Sequence, residues 1–138
     1  MKGIAICCGF NDYEEGNRLT RAVNDAAMLY GKLTESESFN SDPVLVGSGG
    51  LFTQATSAAA VLAAVRAAAA GAAELVWFSF SGHAAVSRTG ELCLLLPEWR
   101  STSSDEAKRR FSIGAHELED ALRPHLASKK FVVVLDTC

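Results

Sequence analysis

Short continuous apolar runs alternate along this chain with segments whose apolar positions recur at helical spacing, and that alternation sets the fold class. Residues 3–9, GIAICCG, form a run closed by Gly9 and followed by the polar, turn-like FNDYEEGN, which predicts a buried strand and then a loop. From Leu19 the apolar positions Leu19, Ala22, Val23, Ala26, Tyr30 and Leu33 recur at threes and fours, so a helix with one core-facing stripe is predicted to about Leu33. PVLVG at 43–47 predicts a short strand, and GSGGLFTQ behind it a flexible loop. Residues 57–70, SAAAVLAAVRAAAA, are dense in the best helix former, with Thr56 or Ser57 to cap the start and Gly71 to stop the end.

The second half continues the pattern. ELVWFSF at 74–80 predicts a buried strand, and ELCLLLP at 91–97 another, ended by Pro97. The charged, Ser-rich EWRSTSSDEAKRRFS at 98–112 reads as an exposed loop, with the basic run Lys108–Arg110 on its surface. IGAHELEDALRPHL at 113–126 predicts a third helix, from Ile113 through Leu118, Ala121 and Leu122, limited by Pro124. KKFVVVLDTC then supplies a β-branched core strand running into Asp136, Thr137 and Cys138. Strands alternating with helices imply an α/β fold with a mainly parallel central sheet flanked by helices.

Composition narrows the partners. At 138 residues the chain is one domain's worth, able to bury roughly 70% of its unfolded surface without staples. A net charge of −3 leaves no basic footprint for nucleic acid. The N-terminus fits neither a secretory signal nor a membrane span, so the expected compartment is cytoplasmic, with no membrane partner. Cys7, Cys8, Cys93 and Cys138 show neither a C-x-x-C pair nor partner histidines at zinc spacing, so free thiols are expected and no metal. Cys7, Cys8 and Cys93 read as small core residues, and His116 and His125 as exposed. The Gly cluster at 47–50 lacks both phosphate-binding fingerprints, which argues against a flavodoxin-like nucleotide binder.

The carboxyl ends of parallel strands are where βα loops gather and where function concentrates. Strand 74–80 delivers Ser81 and His83 there, the last strand delivers Asp136 and Cys138, and the loop after the first strand leads to Asp25 early in its helix. If the last two strands are neighbours, about 4.8 Å apart, a thiol and an imidazole meet at one rim. That pairing is a nucleophile beside a base, because the thiolate attacks and an imidazole can take the proton and later return it to the leaving amine. On residue types alone, Asp25 and Asp136 read as a solvated helix residue and a strand-end cap.

Four blocks, AVNDA (22–26), FSFSGH (78–83), LCLLLP (92–97) and VVVLDTC (132–138), resemble in content and order the caspase-like cysteine peptidases, especially metacaspases and bacterial orthocaspases. The resemblance spans nearly the whole chain and implies a caspase-like three-layer sandwich, with residues 1–138 as a single domain of large-subunit type, incomplete at its C-terminus. It implies peptide-bond hydrolysis by a dyad of Cys138 as nucleophile and His83 as base and acid. The backbone N–H groups of Ala84 and Cys138 would hold the oxyanion, and Asp25, Ser81 and Asp136 would bind an Arg or Lys before the cut. A cationic side chain entering a partly dry pocket needs a charge partner, which paired carboxylates supply.

The family has glycine where this chain has Ala84, which alters the oxyanion position. Family members also continue past the nucleophile, so the resemblance implies a C-terminal remainder or small-subunit chain as partner, without which residues 1–138 lack activity. No cofactor is implied by the dyad. Calcium enters through the family alone, and no loop here has the carboxylate density of a dedicated site. A regulatory or bacterial defence role fits such a peptidase, and the basic run 108–110 would be a self-cleavage site. The alternative is an inactive caspase-like scaffold that binds protein, to which Ala84 and the missing strands give weight.

Overall fold

A computed structural model describes residues 2–35 and 50–137. The elements are β1 (Gly3–Gly9), α1 (Ala22–Glu35), β2 (Leu51–Phe52), α2 (Ala58–Ala70), β3 (Leu75–Gly82), β4 (Ala84–Val86), β5 (Leu92–Leu95), α3 (Asp105–Arg110), β6 (Ser112–Gly114), α4 (Ala115–Leu122) and β7 (Lys130–Thr137). The main sheet has the order β2-β1-β3-β7, and every pairing in it is parallel. The expected α/β class and mainly parallel sheet are therefore present.

Residues in register across parallel strands share a face, so two rows of side chains define the core. Ile4, Ile6, Cys8 and Phe10 of β1 and its end, with Val76, Phe78 and Phe80 of β3, meet Val61, Leu62 and Val65 of α2 and Leu118, Ala121 and Leu122 of α4 in one buried cluster. On the opposite face Ala5 and Cys7 pack with Ala26, Leu29, Tyr30 and Leu33 of α1 and with Trp77. Helices thus cover both faces. Cys7, Cys8 and Cys93 are free; the first two are buried as expected, whereas Cys93, also read as a core residue, is only half-buried.

α1 lies unusually close to the end of β1. A Cβ at Gly9 would fall 2.6 Å from the Ala26 Cβ and closer still to the Ala22 carbonyl oxygen, so only glycine lets the helix sit there. Ala22 and Ala26, both buried, are the small residues that complete this contact.

Several boundaries differ from the sequence pattern, each for a local reason. The helix expected from Leu19 begins at Ala22, because Leu19 donates its N–H to the Asn11 carbonyl and the Asn11 side chain accepts from Val23 N–H at 3.1 Å, capping the helix from outside. The helix at 57–70 forms as expected, with Ser57 Oγ accepting from Ala60 N–H. Part of the expected loop 47–54 is the strand β2, which pairs with Cys7 and Cys8 and is too short to show a period. The expected strand at 43–47 lies outside the described residues.

The strand at 91–97 exists as β5, but in a second, antiparallel sheet of order β4-β5-β6. Its hairpin reverses at Gly90, whose φ of +84° is a glycine conformation, with Gly90 N–H bonded to the Ser87 carbonyl. The loop expected at 98–112 contains α3: Ser104 Oγ accepts from Ala107 N–H, with acids in the first turn and Lys108, Arg109 and Arg110 in the last, the order a helix dipole favours. The basic run is therefore helical and not extended. Ile113 belongs to β6, not to the third helix, and is fully buried; that helix runs over Ala115–Leu122 and passes into a 3-10 turn at Arg123–His125 around Pro124. His116 is exposed as expected, whereas His125 is half-buried.

The largest correction concerns β7. Read as a core strand, it is the last strand of its sheet among the described residues, with Val133, Val134 and Leu135 39–43% exposed. One side of β7 borders an apolar groove of about 340 Å³ lined by Leu92, Leu118, Leu122, Phe131, Val133 and Leu135 among others. Among the described residues, no helix is long and apolar enough to cross a membrane.

Candidate functional site

β3 and β7 are neighbours, running the same way over eight register pairs from Leu75↔Lys130 to Gly82↔Thr137. The condition set by the sequence pattern, adjacency of these two strands, is met. β3 delivers His83 one residue past its end, and β7 ends at Thr137, the residue before Cys138 in the sequence. Cys138 lies outside the described residues.

Gly9, Ser81 and Asp136 stand in one row across β1, β3 and β7. The Ala22–Ala26 turn of α1 covers Gly9, on the face that Ser81 and Asp136 also share. Asp25 belongs to that turn and is exposed, as is Asp136, while Ser81 is half-buried. Two open carboxylates and a hydroxyl thus belong to the same end of the sheet and the same helix-covered face. Ser81 and Asp136 are brought into direct register; Asp25 joins them only through the seating of α1 over Gly9.

His83 sits where the chain leaves the parallel sheet and enters the β4–β5 hairpin. Its Nε2 is 2.6 Å from the Asn17 carbonyl oxygen. A carbonyl only accepts, so Nε2 is the donor in this contact, and in the neutral ring Nδ1 is then the nitrogen with the lone pair, the arrangement a general base requires. The Tyr13 ring lies against the imidazole, centroids 4.5 Å apart and planes inclined at 56°.

The backbone around His83 is fixed as well. Leu95 donates its N–H to the His83 carbonyl at 2.9 Å, while Ser87 donates to Glu91 at the far end of the hairpin. With Ala84 opposite Leu94 in register, these bonds make 84/94 a pair whose own N–H and C=O groups face away from each other. The Ala84 N–H is therefore not consumed by β5 and is directed off the hairpin, as an oxyanion donor must be. Alanine at this position keeps the donor.

Tyr13, Asn17 and Gly82 are the residues that sequence reasoning missed. Tyr13 and Asn17 come from the polar loop after β1, and the only trace of them was a lone aromatic inside an otherwise turn-like stretch. Gly82 is required by packing: a Cβ there would collide with the Tyr13 hydroxyl and stand 3.2 Å from the Phe80 ring. Among the described residues, no cluster of three or more His, Cys, Asp or Glu side chains could hold a metal ion. No protein-family model and no curated protein matches the chain.

Proposed function

We propose that the chain is the large-subunit portion of a caspase-like cysteine endopeptidase that cuts after Arg or Lys. The observation that carries this reading is the parallel, in-register pairing of β3 with β7, whose last pair, Gly82↔Thr137, immediately precedes His83 and Cys138 in the sequence. In this reading Nδ1 of His83 takes the Cys138 proton, the thiolate attacks the substrate carbonyl, and the Ala84 and Cys138 N–H groups hold the oxyanion. The imidazolium then protonates the leaving amine, and water hydrolyses the thioester. The proton on Nε2 stays with the Asn17 carbonyl throughout, which keeps the reactive nitrogen single.

Asp25 and Asp136, with Ser81 between the strands, supply the charge partners for a cationic side chain. The outer edge of β7, which pairs with no strand among the described residues, is in this reading the place for the strands of a C-terminal remainder or small-subunit chain, and its exposed Val133, Val134 and Leu135 are apolar in keeping with later burial. The same exposed edge favours a second reading, a caspase-like scaffold that binds protein without cutting it.

The deciding assay incubates the full-length gene product with fluorogenic Arg, Lys and Asp peptides, with and without calcium, beside Cys138→Ala. Release from Arg or Lys peptides that disappears in Cys138→Ala supports the peptidase. Absence of turnover in every condition supports the scaffold.

A further inference from the structure

The ladder between β4 and β5 is interrupted at its first rung. His83 and Leu95 form a hydrogen-bonded pair, and an ordinary antiparallel pair of that kind exchanges two N–H···O=C bonds. Only one is direct, Leu95 N–H to the His83 carbonyl at 2.9 Å. In place of the other stands the Tyr13 hydroxyl, which accepts from His83 N–H at 3.0 Å and donates to the Leu95 carbonyl at 3.0 Å. A side chain 70 residues away in sequence thus replaces a rung of the sheet at the residue that carries the imidazole.

The loop bearing Tyr13 is itself tied down. Glu14 N–H bonds the Pro97 carbonyl, Glu14 Oε2 meets Arg100 Nε at 2.6 Å, and Glu15 Oε1 accepts from Ser101 N–H and Oγ at 3.0 and 2.8 Å. Gly82 leaves the space the hydroxyl occupies. We propose that Tyr13 is a positioning residue for His83: its hydroxyl wedges open the rung to Leu95 and so turns the imidazole toward the Asn17 carbonyl, fixing which ring nitrogen is free.

Without the hydroxyl, His83 N–H and the Leu95 carbonyl would each lose a partner and could pair directly. That closure would draw His83 toward β5 and lengthen its Nε2 bond to Asn17. The inference rests on the reading of His83 as the acid–base group, but its primary test needs no turnover. Long-range proton–nitrogen spectra of the 138-residue chain, which distinguish a protonated ring nitrogen from a bare one, should show a single His83 tautomer with the proton on Nε2. Tyr13→Phe, folded by circular dichroism, should show mixed tautomers. Gly82→Ala, which expels the hydroxyl while leaving Tyr13 intact, should do the same.

A wild-type ring protonated on Nδ1, or a Tyr13→Phe chain that melts lower yet keeps the single Nε2 tautomer, overturns the proposal; the latter would mark the hydroxyl as structural only. In the peptide assay with full-length protein, Tyr13→Phe should lower kcat on the order of 100-fold with KM unchanged. Mixed tautomers in the variant together with no Cys138-dependent turnover in the wild type would leave the positioning intact and remove the peptidase reading instead.

Discussion

Replacing Gly9 with alanine tests the seating of α1, on which the place of Asp25 depends. The new Cβ would stand 2.6 Å from the Ala26 Cβ, about 1 Å short of an ordinary carbon–carbon contact, and nearer still to the Ala22 carbonyl. The second contact decides the sign, because a helix carbonyl cannot rotate away as a side-chain tip can. Alanine gains about 0.4–1 kcal/mol by restricting the unfolded chain, whereas forcing a methyl into a closed contact costs about 1–3 kcal/mol or more. With backbone as the obstacle the upper value applies, so the net loss is about 2–3 kcal/mol, or roughly 10 °C in melting midpoint for a chain of this size. Urea and thermal unfolding of the 138-residue chain measure it. Adding Ala26→Gly removes only the contact between the two Cβ atoms, so a double-mutant cycle should show partial rescue beyond the helix cost of the glycine itself. A Gly9→Ala midpoint within about 2 °C of wild type would refute the close approach and, with it, the seating of α1 through which Asp25 joins Ser81 and Asp136 at one end of the sheet.

Three further outcomes are expected. Ser57→Ala removes the hydroxyl that accepts from Ala60 N–H at the start of α2 and should cost about 1 kcal/mol, read as a lower urea midpoint with an unchanged slope. Burial raises the Cys7 and Cys8 thiols above their ordinary 9.0, so alkylation of the folded chain near neutrality should leave both intact until denaturant is added, while the proposed nucleophile Cys138 reacts first. Because the folded-state values are raised, the stability linked to these thiols is whole below pH 9.0 and should fall as pH climbs above it, a slope that Cys8→Ala should reduce in pH-dependent urea unfolding.

The elements with a long, uniform pattern were legible. β1, α2 and β3 were read within a residue or two because each buries a continuous run or carries a strong cap, whereas the adjacency of β3 and β7 entered only as a condition, which the pairing meets. What escaped was made by distant partners or by very short pairings. β2 and β4 have two and three residues, below any period. α3 buries nothing, so its Ser cap and charge order were the only signals and its composition read as loop. β7 is as apolar as a core strand, and sequence cannot tell an interior strand from an edge whose neighbour is missing among the described residues. His83 was visible as a strand-end imidazole, but Tyr13 and Asn17 reach it across 70 and 66 residues, a distance no local pattern spans.

The two sides of the site are therefore held very unequally. On one side the carbonyl, N–H and ring of His83 are each bonded, to Leu95, Tyr13 and Asn17, and the loop supplying two of those partners is latched to residues 97–101. On the other, among the described residues β7 has a ladder along β3 alone, and its last five residues before Cys138, Val133 to Thr137, are all exposed. A dyad needs both members fixed to within a fraction of an ångström, and a strand bonded along one edge opens more readily than one bonded along two. On the proposed reading, the base is ready in residues 1–138, whereas the nucleophile's strand gains its second ladder when the C-terminal remainder or small-subunit chain joins the sheet. On that reading completion of the sheet is the step that turns the site on, and the amides of Val133 to Thr137 that face away from β3 should gain protection from hydrogen exchange when it occurs, while those facing β3 and the His83 amide, already bonded, change little.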